Sequence, residues 1–375
     1  MDIVVLVGSL VVILVAAELF TNGIEWFGHK LNLAEGAVGS VLAAVATAMP
    51  ETLIPVIAIL GPLIFGGDTE ASHAIGVGAI LGAPFMLSTL AMFVTGAAIV
   101  YFARGGRRGT GMRVNVRVLG RDVAFFVVGY AIAIGTAFLP AGAEWLKWVA
   151  AVVLFVIYAV YVRLHFADAP EEETDPDQLA RLHATRLPGV AERNTIDIDL
   201  LPREPANWDT SRVEPRMRII VSQVLVALAL IILGAQFFVG AVERLSDLVG
   251  LEPTILSLII APIATELPEK FNSVLWVRTG KDTLAMGNIT GAMVFQSCLP
   301  TVLGLLFTSW TFTSGSAISF ASAGVAFLST ILIFGTMLRG GRLSAWTLLI
   351  GGPLYLIYVY LALFTPLGTQ ATPVH

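Results

Sequence analysis

The apolar positions of this chain follow neither the helical nor the strand alternation of a soluble protein. They form long runs, broken at intervals by charges and Gly/Pro clusters. A bilayer core takes about 20 mainly apolar residues per helix. Cut on that ruler, the chain gives spans near 3–21, 37–60, 74–102, 122–140, 147–163, 218–240, 253–277, 284–309, 315–338 and 344–364. The pattern predicts an all-α polytopic membrane protein of ten transmembrane helices, with five in a first half (1–163), five in a second (218–375), and 164–217 between them. The first run follows Asp2 with no Lys or Arg before it, which favours a retained helix over a cleaved signal. Composition agrees: 56% of the 375 residues are hydrophobic and 13% charged, too little polar surface for a soluble globule. Mean hydropathy is +0.83.

Two stretches break the pattern by placing carboxylates inside apolar runs. Ala261 to Ser273 reads APIATELPEKFNS and holds Glu266, Glu269 and Lys270 around Pro268. A carboxylate at the centre of a membrane helix costs about 2.5–3.5 kcal/mol on the insertion scale and marks a functional position. A proline there removes a backbone hydrogen bond and tends to kink the helix. Ala43 to Thr52, AAVATAMPET, repeats this text: Ala46, Thr47, Pro50 and Glu51 match Ala264, Thr265, Pro268 and Glu269 at an offset of 218. The same offset pairs Ala17 with Ala235, Phe20 with Phe238, Glu25 with Glu243 and Leu33 with Leu251, so the chain carries a duplicated half.

Basic residues orient the spans. Lys270 lies within a span, and the other Lys and Arg residues divide 19 to 2, with only Lys147 and Arg244 on the minority side. Both termini are therefore expected outside and the central loop in the cytoplasm. With an odd number of spans in each half, the two repeats are expected to be inverted, an arrangement that puts a substrate site at the midplane. The segment Asp168 to Pro215 holds 12 acidic residues, 5 basic residues and six prolines without a sustained apolar period, and reads as a flexible cytoplasmic linker. The arginines from Arg104 to Arg121 read as a topology anchor touching anionic membrane lipid. Nothing in the chain argues for nucleic acid. The single cysteine, Cys298, excludes an internal disulfide and reads as a small buried residue.

On a helix, Thr47 and Glu51 share a face, as do Thr265 and Glu269, while Glu266 and Glu269 lie one turn apart. Hydroxyl, carbonyl and carboxylate oxygens in this arrangement suit hard inorganic cations such as Ca²⁺ and Na⁺. Pro50 and Pro268 are expected to release carbonyls near Ala46 and Ala264, and Pro262 to open the second helix further. Lys270 follows Glu266 by four residues in the favourable order, so Glu266 reads either as a ligand or as half of a structural ion pair. Glu51 has no basic residue in its own span. In the spans that follow, Gly78 and Gly82 match Gly287 and Gly291 in a small-xxx-small spacing that favours close helix packing. Asn288 and Gln296 offer amide oxygens. Lys270, Asn272 and Asn288 are candidates for coupling or supporting roles, and His73, at a span edge, is a candidate proton relay.

These paired Thr-x-x-Pro-Glu cores resemble the alpha repeats of the sodium/calcium exchanger family, within the cation/calcium antiporter superfamily. The resemblance covers both membrane halves. It implies a midplane site shared by the second, third, seventh and eighth helices, with sodium-driven calcium extrusion by alternating access. It also implies cation ligands at Thr47, Glu51, Thr265, Glu269 and Gln296, with transported ions and no cofactor. The chain departs from the family pattern at several points. The serine after the core threonine is Ala48 in one repeat and Glu266 in the other, the third span carries Ala79, Ala83 and Leu87 at ligand positions, and Ala292 replaces a serine in the eighth.

Three functions are weighed on these residues. Sodium/calcium antiport follows from the repeat cores. Cation/proton antiport follows from the missing serine and amide ligands and from the Glu266, Glu269 and Lys270 cluster. A passive channel or membrane sensor fits inverted repeats with broken helices less well. No nucleophile, nucleotide loop or metal-cofactor motif argues for an enzyme.

Overall fold

The computed structural model describes residues 2–31, 49–106, 108–168, 182–186, 195–197 and 213–365, apart from the side chains of a few of them. Among these the elements are almost all helical: α1 Asp2–Lys30, α2 Met49–Phe65, α3 Thr69–Arg104, α4 Val116–Gly135, α5 Trp145–Asp168, α6 Met217–Val249, α7 Pro253–Arg278, α8 Asp282–Phe307, α9 Ala317–Gly340 and α10 Gly351–Phe364. Among the described residues, eight helical stretches are long and apolar enough to cross a membrane. The helix ends follow from local chemistry. Asp68 caps α3 by accepting from the Glu70 and Ala71 amides, and Asn115 caps α4 through Arg117 and Val118. Pro253 opens α7 at a position where no amide is needed, and Gly341, at φ +66°, closes α9.

The chain forms two compact units. One comprises Met1–Ile3, Ile54–Arg163 and Val239–His375; the other comprises Val4–Leu53 and Leu164–Phe238. Each draws on both sequence halves.

In the first unit, α3 and α7 run side by side in contact made possible by two glycines. A Cβ at Gly78 would collide with the Thr254 carbonyl, and one at Gly82 with the Leu258 carbonyl. The Ser257 hydroxyl donates to the Ile75 carbonyl across the same seam at 2.8 Å. The predicted packing role is thus met by Gly78 and Gly82. Their counterparts behave differently: among the described residues, a Cβ at Gly287 would meet nothing within 4 Å and one at Gly291 only the Tyr161 hydroxyl. Helix α7 is unbroken through Pro262 and Pro268, a correction to the expected opening. The missing amide of Pro262 strands the Leu258 carbonyl, and Gly82 packs against that oxygen, with the Pro262 ring also within 2.8 Å of the position of an added Cβ. Close packing from outside keeps the helix together.

Helix α3 contains a π turn at Leu87–Ala91, stitched by Ser88 and Thr89 hydroxyls onto the Phe85 carbonyl and by Ser329 of α9 onto the Ser88 carbonyl. At the end predicted to be cytoplasmic, Asp282 takes both Arg108 guanidinium nitrogens, at 2.7 and 2.9 Å, and the Arg113 amide at 2.8 Å. Arg108 also donates to the Val277 carbonyl in the last turn of α7. This clasp ties the segment after α3 to the α7–α8 turn. Two residues, Gly111 and Met112, pair antiparallel with Ser344 and Leu343 beside it.

In the second unit, Leu182, Trp26 and Ile220 form a small apolar cluster. Gln223 bonds to the Leu19 carbonyl and to Asn22, whose oxygen also receives the His183 amide. The segment read as a flexible linker contributes one docked turn, His183–Arg186, and a short strand pair, Thr195–Asp197 with Val213–Pro215. A single leucine is too sparse a signal to register as an apolar period.

Elsewhere the apolar surface faces outward. On α5, Val152, Phe155 and Val156 are all more than half exposed. Such a surface is lipid-facing in a polytopic protein. Cys298 is fully buried against Gly129 of α4, as expected.

Candidate cation site

The polar residues of α7 and α8 meet in the apolar interior of the first unit. On α7 the four-residue spacing puts Glu266 and Lys270 on one face, with Ser273 nearly one turn further. Glu266 is 1% exposed and Lys270 2%, and the ammonium lies 3.7 Å from Glu266 Oε2. From α8, the Gln296 side-chain amide donates to Glu266 Oε1 at 2.6 Å. A carboxylate accepts only, so the NH₂ side of Gln296 must face it and the amide oxygen must face elsewhere. The backbone of Gln296 is fixed too. Pro300 denies its carbonyl the usual helical partner, and the Thr301 hydroxyl takes that role at 2.9 Å.

Around this cluster lie further polar groups. Thr265 is buried and donates its hydroxyl proton to the Ala261 carbonyl, which leaves the oxygen lone pairs for another partner. Asn288 donates to the Ser273 hydroxyl at 3.3 Å, and Ser273 donates to the Ala285 carbonyl at 3.0 Å, holding α7 and α8 together below the cluster.

Glu51 occupies the first turn of α2 and is 8% exposed. The positive end of the helix dipole favours a carboxylate there. Thr47 lies outside the described residues. Glu269 and Asn272 are within α7, but their side chains are outside the description. His73 is not brought to the cluster. Its Nε2 bonds instead to the Ile59 carbonyl at 3.0 Å. Among the described residues, no three His, Cys, Asp or Glu side chains converge as a metal centre.

Two contacts were not singled out from the sequence. Ser273 sat in the quoted stretch but carries no charge to draw notice. Asp122 of α4 is fully buried, and its Oδ2 accepts from Thr290 of α8 at 2.6 Å, with the Tyr161 hydroxyl also bonded to it. The signal was present, since Asp122 is an acid at the edge of an apolar run.

The sequence matches the family described as sodium/calcium exchanger protein over residues 1–167 and 219–364. A protein of Alkalimonas amylolytica, provisionally named the antiporter CaxA, is 24% identical over 350 residues, covering 91% of each chain. Among solved structures, an H⁺/Ca²⁺ exchanger, CAX, superposes with a TM-score of 0.65 at 15% identity, covering 97% of this chain and 82% of its own. Native YfkE gives 0.60 at 11% identity, covering 97% and 96%. The sodium-calcium exchanger NCX_Mj gives 0.52 at 14% identity, covering 96% and 97%. The structural matches establish a shared fold, and the family match spans both apolar halves on either side of the linker. The chain is an integral, multi-pass membrane protein that belongs to the sodium/calcium exchanger family.

Proposed function

We propose that the protein is a secondary antiporter that exchanges Ca²⁺ for Na⁺ by alternating access. The observation that carries this reading is the membrane-buried cluster of Glu266, Gln296 and Thr265 on α7 and α8, in a member of this family. Charged and amide groups in an apolar interior are costly, and they are kept where an ion passes. In this reading the chain has ten spans in two inverted five-helix repeats, with both termini outside and the central loop cytoplasmic. Each repeat core contributes one carboxylate to a midplane site: Glu51 with Thr47 from the first, and Glu269 with Thr265 from the second. Gln296 adds its free amide oxygen.

A second reading, calcium against protons, is favoured by α3. Ala79, Ala83 and Leu87 are buried where the family pattern has oxygen ligands, so there are fewer groups to hold sodium. The solved H⁺/Ca²⁺ exchanger with the same fold is consistent with it.

The test is ⁴⁵Ca²⁺ uptake into proteoliposomes under an imposed Na⁺ gradient and then under an imposed pH gradient. Uphill uptake driven by Na⁺ supports the first reading, and uptake driven only by protons selects the second. Calcium that merely equilibrates, with no uphill phase under either gradient, overturns both in favour of a channel.

A further inference from the structure

A glutamine side chain has an NH₂ that donates and an oxygen that accepts, and only the oxygen can hold a cation. Which of the two faces an ion is decided by what binds the other. In Gln296 the NH₂ is taken by Glu266 Oε1 at 2.6 Å, while the Lys270 ammonium stands 3.7 Å from Glu266 Oε2. From this geometry we infer that Glu266 is a positioning residue: braced by Lys270, it fixes Gln296 with the amide oxygen turned toward the transported cation. The inference rests on the proposed role of Gln296 as a ligand and holds for either coupling ion.

Three observations carry it. The first is chemical. Paired with an ammonium, Glu266 is a carboxylate and has no proton to offer the Gln296 oxygen, so the bond exists in one sense only. Turning the amide over would set oxygen against oxygen. The second is mechanical. Glu266, Lys270 and Gln296 are each at most 3% exposed, and a charge-assisted bond in so dry a setting is strong. The Thr301 hydroxyl holds the Gln296 backbone carbonyl at 2.9 Å, so the residue is tied at both ends. The third observation comes from the duplication. The offset that pairs Thr47 with Thr265 sets Ala48 against Glu266 and Thr52 against Lys270. The step that pairs Gly78 with Gly287 and Gly82 with Gly291 sets Leu87, a fully buried residue, against Gln296. The first repeat therefore lacks the amide, and it lacks the acid and the lysine as well. The three are present together in one repeat and absent together from the other, as follows if the acid serves the amide. A carboxylate that met the cation on its own account would have no reason to accompany a glutamine on the next helix.

The experiment reads calcium binding by the full chain in detergent, as the calcium concentration that gives half-maximal thermal stabilisation, in a cycle of variants. Glu266→Gln is made together with Lys270→Met, so that the ion pair is removed as a unit. The introduced amide can bond Gln296 in either sense. This pair variant should bind calcium at least about two-fold more weakly than the parent, because Gln296 then presents its oxygen only part of the time. Gln296→Met should also weaken binding. With all three substitutions combined nothing is left to position, so binding should match that of Gln296→Met alone. If the combined variant is instead weaker than Gln296→Met by the factor that separates the pair variant from the parent, Glu266 meets the cation itself and the inference is overturned. A pair variant that binds as the parent does also overturns it, since a merely structural ion pair changes yield and leaves affinity alone. Should the pair variant not fold, Glu266→Asp takes its place in the same cycle: it keeps the charge beside Lys270 but withdraws the acceptor from Gln296 by one methylene. Gln296→Met that binds as the parent does removes the proposed ligand, and a parent unmoved by calcium removes the calcium site altogether. The inference falls with either, and each is told apart from its own failure by the variant in which it shows.

Discussion

Gln296 Nε2 and Glu266 Oε1 lie 2.6 Å apart, and Lys270 stands on the other side of the same carboxylate. Removing the lysine takes the neighbouring ammonium away from a buried carboxylate. Breaking a buried pair on one side costs about 3–5 kcal/mol, whereas removing both partners is often nearly neutral. Lys270→Met should therefore lower the yield of folded protein in the membrane, and adding Glu266→Gln should restore it. Size-exclusion profiles in detergent measure both. Equal yields for the single and double variants would mean that the pair contributes nothing to stability.

The proposed ligands Glu51 and Glu269 are tested by Glu51→Gln and Glu269→Gln, which keep volume and one acceptor oxygen but remove charge. Each should abolish calcium-dependent thermal stabilisation while leaving the protein inserted, because a ligand bound only to the folded state raises its apparent stability. A variant that is stabilised by calcium as the parent is has not lost a ligand.

The glycines of α3 and α8 share a spacing but not a setting. Gly82→Ala drives a methyl group into the Leu258 carbonyl and should cost about 1–3 kcal/mol. Gly287→Ala meets open space among the described residues and should be neutral, or stabilising by up to about 1 kcal/mol through helix propensity. Thermal unfolding in detergent compares them, and equal losses would contradict the packing described for α3 and α7.

Glu252 sits just before α7, outside the span, and burial raises its carboxyl above the ordinary 4.5, partly offset by a bond from the Thr254 hydroxyl. A raised folded-state value means the folded protein holds this proton more tightly than the unfolded chain does. Its contribution to stability is therefore best at low pH and falls as pH rises from about 4.5 through the folded value. Glu252→Gln should raise Tm at neutral pH and reduce the loss of stability over that rise. A lower Tm at neutral pH would reverse the sign.

Orientation is tested by single cysteines. Cys298 is buried and should resist an impermeant thiol reagent in sealed cells. Asp177→Cys in the linker should be labelled only from the cytoplasmic side and Thr313→Cys only from outside. Reversed labelling would sink the proposed orientation, and labelling of both positions from one side would sink the proposed inversion of the repeats.

Much of this was legible in the sequence because it depends on spacing along one helix. The apolar run lengths, the Glu266–Lys270 interval and the Gly78–Gly82 step each follow from helical geometry alone. What was not legible depends on which helix faces which. Pro262 looked like a break because the sequence does not show Gly82 closing over the stranded Leu258 oxygen. Gln296 read as an amide-oxygen ligand, with no sign of its bond to Glu266, because that bond spans thirty residues. Gly287 copies Gly78 in pattern, yet a pattern on one surface does not say whether another surface meets it.

The Arg108–Asp282 clasp also has a consequence for biosynthesis. Its partners are 174 residues apart, and the Gly78 and Gly82 seam likewise waits for Thr254 and Leu258. At about 5–20 residues per second, the ribosome needs roughly 9–35 s to deliver Asp282 after Arg108 has emerged. Over that interval α3 rests in the bilayer with its glycine groove unfilled and Arg108 without its acid. The nascent first half is thus an unfinished surface for tens of seconds, and it is at this stage, before the second half arrives, that the insertion machinery and membrane proteases have their longest access to it.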